Sequence, residues 1–229
     1  MGKEYKNIAF LFRSVVALFV PLIILLTILQ IYAFHKDFYL KEYEKYQVSK
    51  VTGMSMEDLE KVTIKIIRYL QGQENDLVIE AKIKGQTREV FGEREKQHMI
   101  DVKNLFEGGY KVRNISALVV FASILLLAKF SRNFQVDFFK GLFQSSMFAF
   151  LLMGILLILM KIDFYRYFTY FHEIFFTNDL WLLDPNTEIL IQMLPLEFFT
   201  DIATRIVGWF IGTMGVMGAL SYDRLRKIV

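Results

Sequence analysis

The chain has 229 residues, 54% of them hydrophobic and 16% aromatic, with a formal net charge of +3. So small a charge, with no basic stripe interleaved with aromatics, gives no basis for nucleic-acid binding. The absence of cysteine excludes disulfides, thiolate metal sites, cysteine nucleophiles and cysteine-linked lipid anchors.

Charged residues make up 22% of the chain, yet several long stretches contain none. That clustering marks a membrane protein rather than an apolar soluble one. Residues 15–34 form the first apolar run, interrupted only by Pro21, Thr27, Gln30 and Tyr32. It matches the ~20 residues a helix needs to cross ~30 Å of hydrocarbon. No small-residue cleavage site follows it, so it is expected to be retained as a span rather than removed as a signal peptide.

The next region, 36–113, is long enough to fold. Ser55 and Asp58 have the spacing of a capping box, which predicts a helix from Met56 to Leu70 with Leu59, Val62, Ile66 and Leu70 near one face. Leu77, Ile79, Ala81 and Ile83 alternate mostly with charged residues, as in a half-buried strand. Gly85-Gln86 can turn the chain so that Val90-Phe91 pair back. A second helix is expected from Glu93 to about Phe106, ending at Gly108-Gly109.

Three further spans follow, placed at 114–134, 141–161 and 204–222. The last is glycine-rich: Gly208 and Gly212 form a GxxxG pair, followed by Gly215 and Gly218, a spacing that lets helices approach closely in lipid. Internal packing is the expected use, homodimerisation the alternative. Between the last two spans, segment 162–203 crowds aromatics from Phe164 to Trp181, which favours the bilayer interface.

Lysine and arginine placement sets the expected orientation. The N-terminal segment, the loop between spans two and three and the tail 223–229 hold nine basic residues against three acidic ones, including Lys3 and Glu4. Residues 161–205 hold three basic and seven acidic. Both termini are therefore expected in the cytoplasm. The expected fold is an all-α membrane core of four transmembrane helices, segment 1–35 carrying the first, with a small α+β extracytoplasmic domain, 36–113, between spans one and two.

Two segments carry candidate chemistry. In 93–102, Arg94, His98 and Asp101 fall on one helix face, and a carboxylate beside a histidine can fix its tautomer. In 172–185, His172 lies in an aromatic stretch at membrane level with carboxylates nearby, where ionisable groups are costly and usually functional. A solvated helix face and a histidine reaching for headgroups are the plain alternatives. Two histidines suit general acid–base work, their pKa lying near working pH. His35 is the third of the three histidines. No HExxH pair or Cys/His cluster is present, so no metal site or cofactor is expected. There is no GxSxG elbow, and the outward serines Ser49 and Ser55 are remote from both segments.

The run Glu93-Arg94-Glu95-Lys96-x-His98-Met99-x-Asp101-Val102, with Phe171-His172-Glu173-x-Phe175-Phe176 and Leu180-Trp181-x-Leu183-Asp184-Pro185, resembles a family of four-span membrane proteins that includes the bacterial lipoprotein intramolecular transacylase. The likeness covers nearly the whole chain. It implies a multi-pass protein of the bacterial cell membrane with its site at the outer leaflet. The substrate would be a diacylglyceryl lipoprotein, whose sn-2 acyl chain moves to the α-amino group of its N-terminal cysteine, giving a lyso-form lipoprotein. The family's two functional histidines map onto His98 and His172. Arg94, Asp101, Asn178 and Asp184 are added from spacing as supporting or substrate-binding residues. Membrane lipids are the other expected partners. A transporter would want polar groups inside the spans, where Ser123, Ser145, Ser146 and Thr213 are weak candidates. A non-catalytic scaffold or sensor, binding a partner through its outer domain, is the main alternative.

Overall fold

The computed structural model describes residues 2–228, with side chains from Tyr5 onward. Met1, Val229 and the side chains of Lys3 and Glu4 lie outside the described residues. The chain is mostly helical, in the order α1 (Gly2–Ala33), α2 (Lys36–Lys45), α3 (Val48–Thr52), α4 (Met56–Leu70), β1 (Glu80–Ile83), β2 (Gln86–Glu89), α5 (Glu93–Phe130), α6 (Phe134–Phe175), α7 (Ile189–Met193) and α8 (Leu196–Ile228). Four helices, α1, α5, α6 and α8, are long and apolar enough to cross a membrane. The chain divides into two compact units, one of residues 1–29, 109–162 and 204–229, the other of residues 30–108 and 163–203.

The first unit buries little of its apolar surface. Leu118, Phe121, Leu125, Leu151, Ile155 and Ile158 are all at least half exposed, as expected where the solvent is hydrocarbon. Inside, Phe12, Val16 and Leu127 pack with Phe134, Phe138 and Leu142. Ala149 and Met153 of α6 pack with Val207, Phe210 and Met214 of α8. The glycines of α8 divide by role. A Cβ on Gly218 would come within 3.0 Å of the Ser146 Cβ, whereas Gly208 and Gly212 face nothing within 4 Å. Close approach inside this unit therefore uses Gly218 rather than the GxxxG pair.

The second unit has an aromatic and aliphatic core. Phe38, Tyr39 and Tyr43 of α2, the Leu59, Val62, Ile66 and Leu70 face of α4, Ile189, Leu190 and Met193 of α7, and Phe198 of α8 are all buried together. Helix α4 begins where its cap predicts: the Ser55 hydroxyl accepts the Asp58 N–H at 3.1 Å and bonds the Asp58 carboxylate at 3.0 Å. Strands β1 and β2 form an antiparallel hairpin in which Ile83 faces Gln86 and Glu80 faces Glu89. The Val90 N–H continues the pairing by donating to the Ile79 carbonyl at 2.9 Å. Leu77, Ala81 and Ile83 are the buried members of the alternation.

Two helical elements differ from the sequence reading. Helix α5 does not end at Gly108-Gly109 but runs unbroken from Glu93 to Phe130. Neither glycine adopts the left-handed conformation of a helix stop. Each costs about 1 kcal/mol in a helix interior, less than the loss of backbone pairing where a helix enters lipid. Segment 162–203 is also far from wholly irregular, since α6 continues to Phe175 and α8 begins at Leu196. At Asp163 (φ −162°, ψ 90°) α6 breaks and restarts. The Asp163 carboxylate accepts the Arg166 N–H at 3.0 Å, so it caps the second stretch as an N-cap residue does.

Candidate active site

The histidines sit within the second unit, beyond the apolar stretches of their helices. His98 lies in the second turn of α5 and is 8% exposed. His172 lies in the last turn of α6. Their ring centres are 6.1 Å apart with planes 33° from parallel, so residues 74 positions apart in sequence form one imidazole pair.

Aromatic side chains fix both rings. Phe176 touches each edge-on or tilted, 5.4 Å from His98 and 5.5 Å from His172. Trp181 stacks on His172 at 4.9 Å, and Phe168 meets it edge-on at 4.5 Å. The Trp181 indole N–H donates to the Asn178 carbonyl at 2.9 Å, which holds the stacking ring in place.

The two imidazoles have different polar surroundings. His172 Nδ1 lies 2.7 Å from the Phe168 carbonyl oxygen. A carbonyl only accepts, so Nδ1 carries the proton and Nε2 the free lone pair. His98 Nδ1 is buried with no hydrogen-bond partner among the described residues. A buried orphan N–H is more costly than an orphan acceptor, so the His98 proton belongs on Nε2. Burial pulls the His98 pKa well below the ordinary imidazole value, and the neighbouring His172 pulls it further. Burial also lowers His172, against the opposing pull of the Phe168 carbonyl. Both rings are therefore neutral at pH 7, one with an accepting Nε2 and the other with a donating Nε2–H.

The remaining residues named from sequence fall into two groups. Arg94, His98 and Asp101 form one stripe of α5, and each takes a partner from 172–179. Arg94 donates to the Asp179 carbonyl at 2.6 Å. His98 meets His172. Asp101 accepts from the Asn178 side-chain amide at 2.8 Å. Asp184 is used differently: its carboxylate accepts from the backbone and side-chain amides of Asn186, both at 2.9 Å, in the turn ahead of α7. Those bonds hold its carboxyl below the ordinary range. His35 precedes α2, with no side-chain cap bond there.

Sequence reasoning assigned no role to Glu95. Its side chain accepts the Gly92 N–H at 2.7 Å and the Leu190 N–H at 2.6 Å, while only 3% exposed. One carboxylate thus closes the first turn of α5 and ties it to α7. A glutamate three residues after the helix-preceding Gly92 is the returning half of a capping box, and that spacing was a usable signal. Trp181 and Phe176 were visible only as members of an aromatic stretch.

A cleft of about 280 Å³ opens beside the pair, lined by Asp101, Asn104, Phe175, Phe176, Thr177 and Asn178 among others. A second, of about 370 Å³, lies over 88–95 with Thr187 and Glu188. Neither includes a histidine. The first is the relevant one, because Phe176 belongs to its wall and touches both imidazoles.

A polytopic helical membrane protein with a neutral imidazole pair in an aromatic setting is the class that fold and site define. Residues 14–199 match the family described as lipoprotein intramolecular transacylase Lit, and the chain belongs to that family. No curated protein matches the sequence. Among solved structures, the membrane-integral lipoprotein intramolecular transacylase Lit from Bacillus cereus is similar. It matches at TM-score 0.81 and 22% identity, over 97% of this chain and 98% of that one. A variant of that protein with one histidine replaced by arginine matches at TM-score 0.78 and 21% identity, covering 99% and 98% of the two chains. A third structure, with histidine replaced by alanine, matches at TM-score 0.75 and 22% identity, covering 97% and 96%. The chain is thus a membrane protein of a transacylase family.

Proposed function

We propose that the chain moves the sn-2 acyl group of a diacylglyceryl lipoprotein to the α-amino group of the same lipoprotein's N-terminal cysteine. The observation that carries this reading is the pairing of His172, whose Nδ1–H is committed to the Phe168 carbonyl, with the neutral His98. The free Nε2 of His172 accepts a proton from the amine as its nitrogen attacks the ester carbonyl carbon. The His98 Nε2–H donates to the oxyanion that forms. The carbon–oxygen bond to glycerol then breaks, and the proton held by His172 passes to the leaving sn-2 oxygen. One N–C bond replaces one C–O bond, and the protein ends unchanged.

No protein nucleophile is needed when donor and acceptor are one molecule, because positioning can supply effective molarities of ~10⁵ M or more. The serines of this unit support the same view. Ser49 donates to the Met54 carbonyl and Ser55 caps α4, so both are structurally committed. Arg94, Asp101 and Asn178 join α5 to 178–179 and hold the pair together, and Asp184 shapes the turn that follows.

The surplus of basic residues in the N-terminal segment, the α5–α6 connection and the tail supports cytoplasmic termini, with region 36–113 outside and the site at the outer leaflet. Mass spectrometry of a lipoprotein N-terminus, from cells making diacyl lipoprotein with and without this chain, tests the reading. An unchanged total mass with one acyl moved from glycerol to nitrogen is the expected result, lost in His98→Ala and His172→Ala. Both acyl chains still on glycerol, with the protein expressed and inserted, would overturn it in favour of a scaffold.

A further inference from the structure

Asp101 is the acidic residue near the histidines that lines a cleft; Glu173, exposed beside His172, also has no hydrogen-bond or ion-pair partner among the described residues but lines neither cleft. One Asp101 carboxylate oxygen accepts from Asn178 at 2.8 Å. The other has no hydrogen-bond partner among the described residues, and no lysine or arginine among them lies within ion-pair distance. Nearby Glu89, Glu93 and Asp179, by contrast, are matched to Lys96 or Arg94. The unmatched oxygen belongs to a residue that lines the cleft of about 280 Å³. The cleft's other polar groups, Asn104, Thr177 and Asn178, are neutral, and Leu105, Phe175 and Phe176 form its apolar wall.

A carboxylate with spare acceptor capacity beside aromatic faces is suited to a small cation carrying several N–H donors. An ammonium pairs with the carboxylate and is attracted by ring faces. An anion would meet repulsion, and a neutral apolar group would leave Asp101 desolvated and unpaired. Asp101 also lies one turn beyond His98 on the same face of α5, where side chains are about 5–6 Å apart. A cation held there sits about one helical turn from His98.

We infer that this cleft is the docking site for the substrate's α-ammonium group, received by the Asp101 carboxylate, oriented by Asn178 and walled by Phe175 and Phe176. The inference rests on the transacylase reading for the identity of the cation and deepens it by naming what holds the acceptor nitrogen before transfer; the docked ammonium gives one proton to water, and the neutral amine so formed is the group that attacks and passes its next proton to His172. Asp101 is then a binding residue that selects lipoproteins with an unblocked N-terminus.

The test uses the full-length protein in lipid nanodiscs and a cysteinyl peptide whose glyceryl chains are ether-linked, so that no transfer occurs. It is prepared with a free α-amine and with that amine acetylated. The wild type is expected to bind the free-amine form about tenfold more tightly, the lower range of a charge-assisted hydrogen bond. Asp101→Asn should bring the two affinities together, and Asp101→Glu should restore part of the difference. Should Asp101→Asn not fold, the wild type alone decides: its preference should fade as pH rises through ~8, where a free α-amine loses its proton.

An Asp101→Asn variant that weakens both peptides alike and keeps their ratio would overturn the inference, assigning Asp101 only to holding the Asn178 loop. So would a wild type without preference, or one whose preference persists to pH 10. The diester peptide run in parallel separates the two readings. Transfer without amine preference removes the docking site alone, and amine preference without transfer removes the transacylase reading alone.

Discussion

Replacing Glu95 tests whether the pair depends on the link between α5 and α7. Two backbone N–H groups, of Gly92 and Leu190, donate to this one carboxylate at 2.7 and 2.6 Å. In Glu95→Ala both lose a charged acceptor, and Leu190 is itself buried at 4% exposure. At roughly 1.5–3 kcal/mol for each bond to a charged group the gross loss is about 3–6 kcal/mol. Part is offset, because the substitution also removes a carboxylate whose charged form is disfavoured. Burial raises its pKa above the ordinary value, against the pull of the two amides. The net expectation is a loss of roughly 2–4 kcal/mol, or about 5–15 °C in Tm for a chain of this size. Glu95→Gln keeps one acceptor oxygen and should lose about half as much. Tryptophan fluorescence during thermal unfolding in detergent reads the shift, and the lipoprotein N-terminus reads acyl transfer. A Glu95→Ala protein that unfolds within about 2 °C of wild type and transfers normally would refute the reasoning.

Other expectations follow from the same contacts. Both site histidines should titrate below the ordinary imidazole value of about 6.5. With folded pKa values below the unfolded one, the unfolded chain binds more protons between them, so stability should fall as pH drops through that window. Ring signals in isotope-labelled protein, assigned by their loss in His98→Gln and His172→Gln, would show this, and a midpoint above 6.5 for either would contradict it. Trp181→Phe keeps an aromatic face against His172 but loses the bond to the Asn178 carbonyl. It should slow transfer severalfold, with Trp181→Ala slower still, as positioning of a catalytic ring predicts. Gly218→Ala, which sets a Cβ within 3.0 Å of Ser146, should cost about 1–3 kcal/mol by overpacking. Gly208→Ala and Gly212→Ala should be neutral or stabilising by up to about 1 kcal/mol, and the reverse order in thermal unfolding would be inconsistent with this packing. Ser55→Ala should cost about 1 kcal/mol through loss of the α4 cap.

What could be read ahead of the structure was what short-range chemistry determines. Ser55 and Asp58 cap a helix through contacts three residues apart, and the Leu59 to Leu70 face follows from helical period. The apolar runs revealed themselves by length. Gly108-Gly109 misled because a glycine pair is a helix stop only when a residue adopts the left-handed conformation, and here the chain continues as helix. Asp163 leaves no clear mark in the sequence, because the apolar and aromatic pattern continues on both sides of the point where α6 breaks and restarts. The histidine segments were legible as segments, but the 6.1 Å pairing depends on two helices whose relative placement no local pattern encodes.

Two of the four added residues, Arg94 and Asp101, share with His98 a spacing that tertiary structure turned into a set of contacts. Arg94, His98 and Asp101 follow the i, i+4, i+7 rhythm of one helix face, which by itself describes a solvated stripe as well as a functional one. Each instead meets a group from 172–179, through Asp179, His172 and Asn178. The three contacts differ in how directly they bear on the imidazole pair. Losing the Arg94 bond loosens one end of the seam at an exposed position. Losing the Asn178 bond frees the carboxylate that faces the cleft. Losing His172 removes the second imidazole itself, the ring that lies 6.1 Å from His98. Effects on transfer should therefore grow in the order Arg94→Ala, Asn178→Ala, His172→Ala. An Arg94→Ala defect equal to that of His172→Ala would mean that the seam, rather than the imidazoles, limits the reaction.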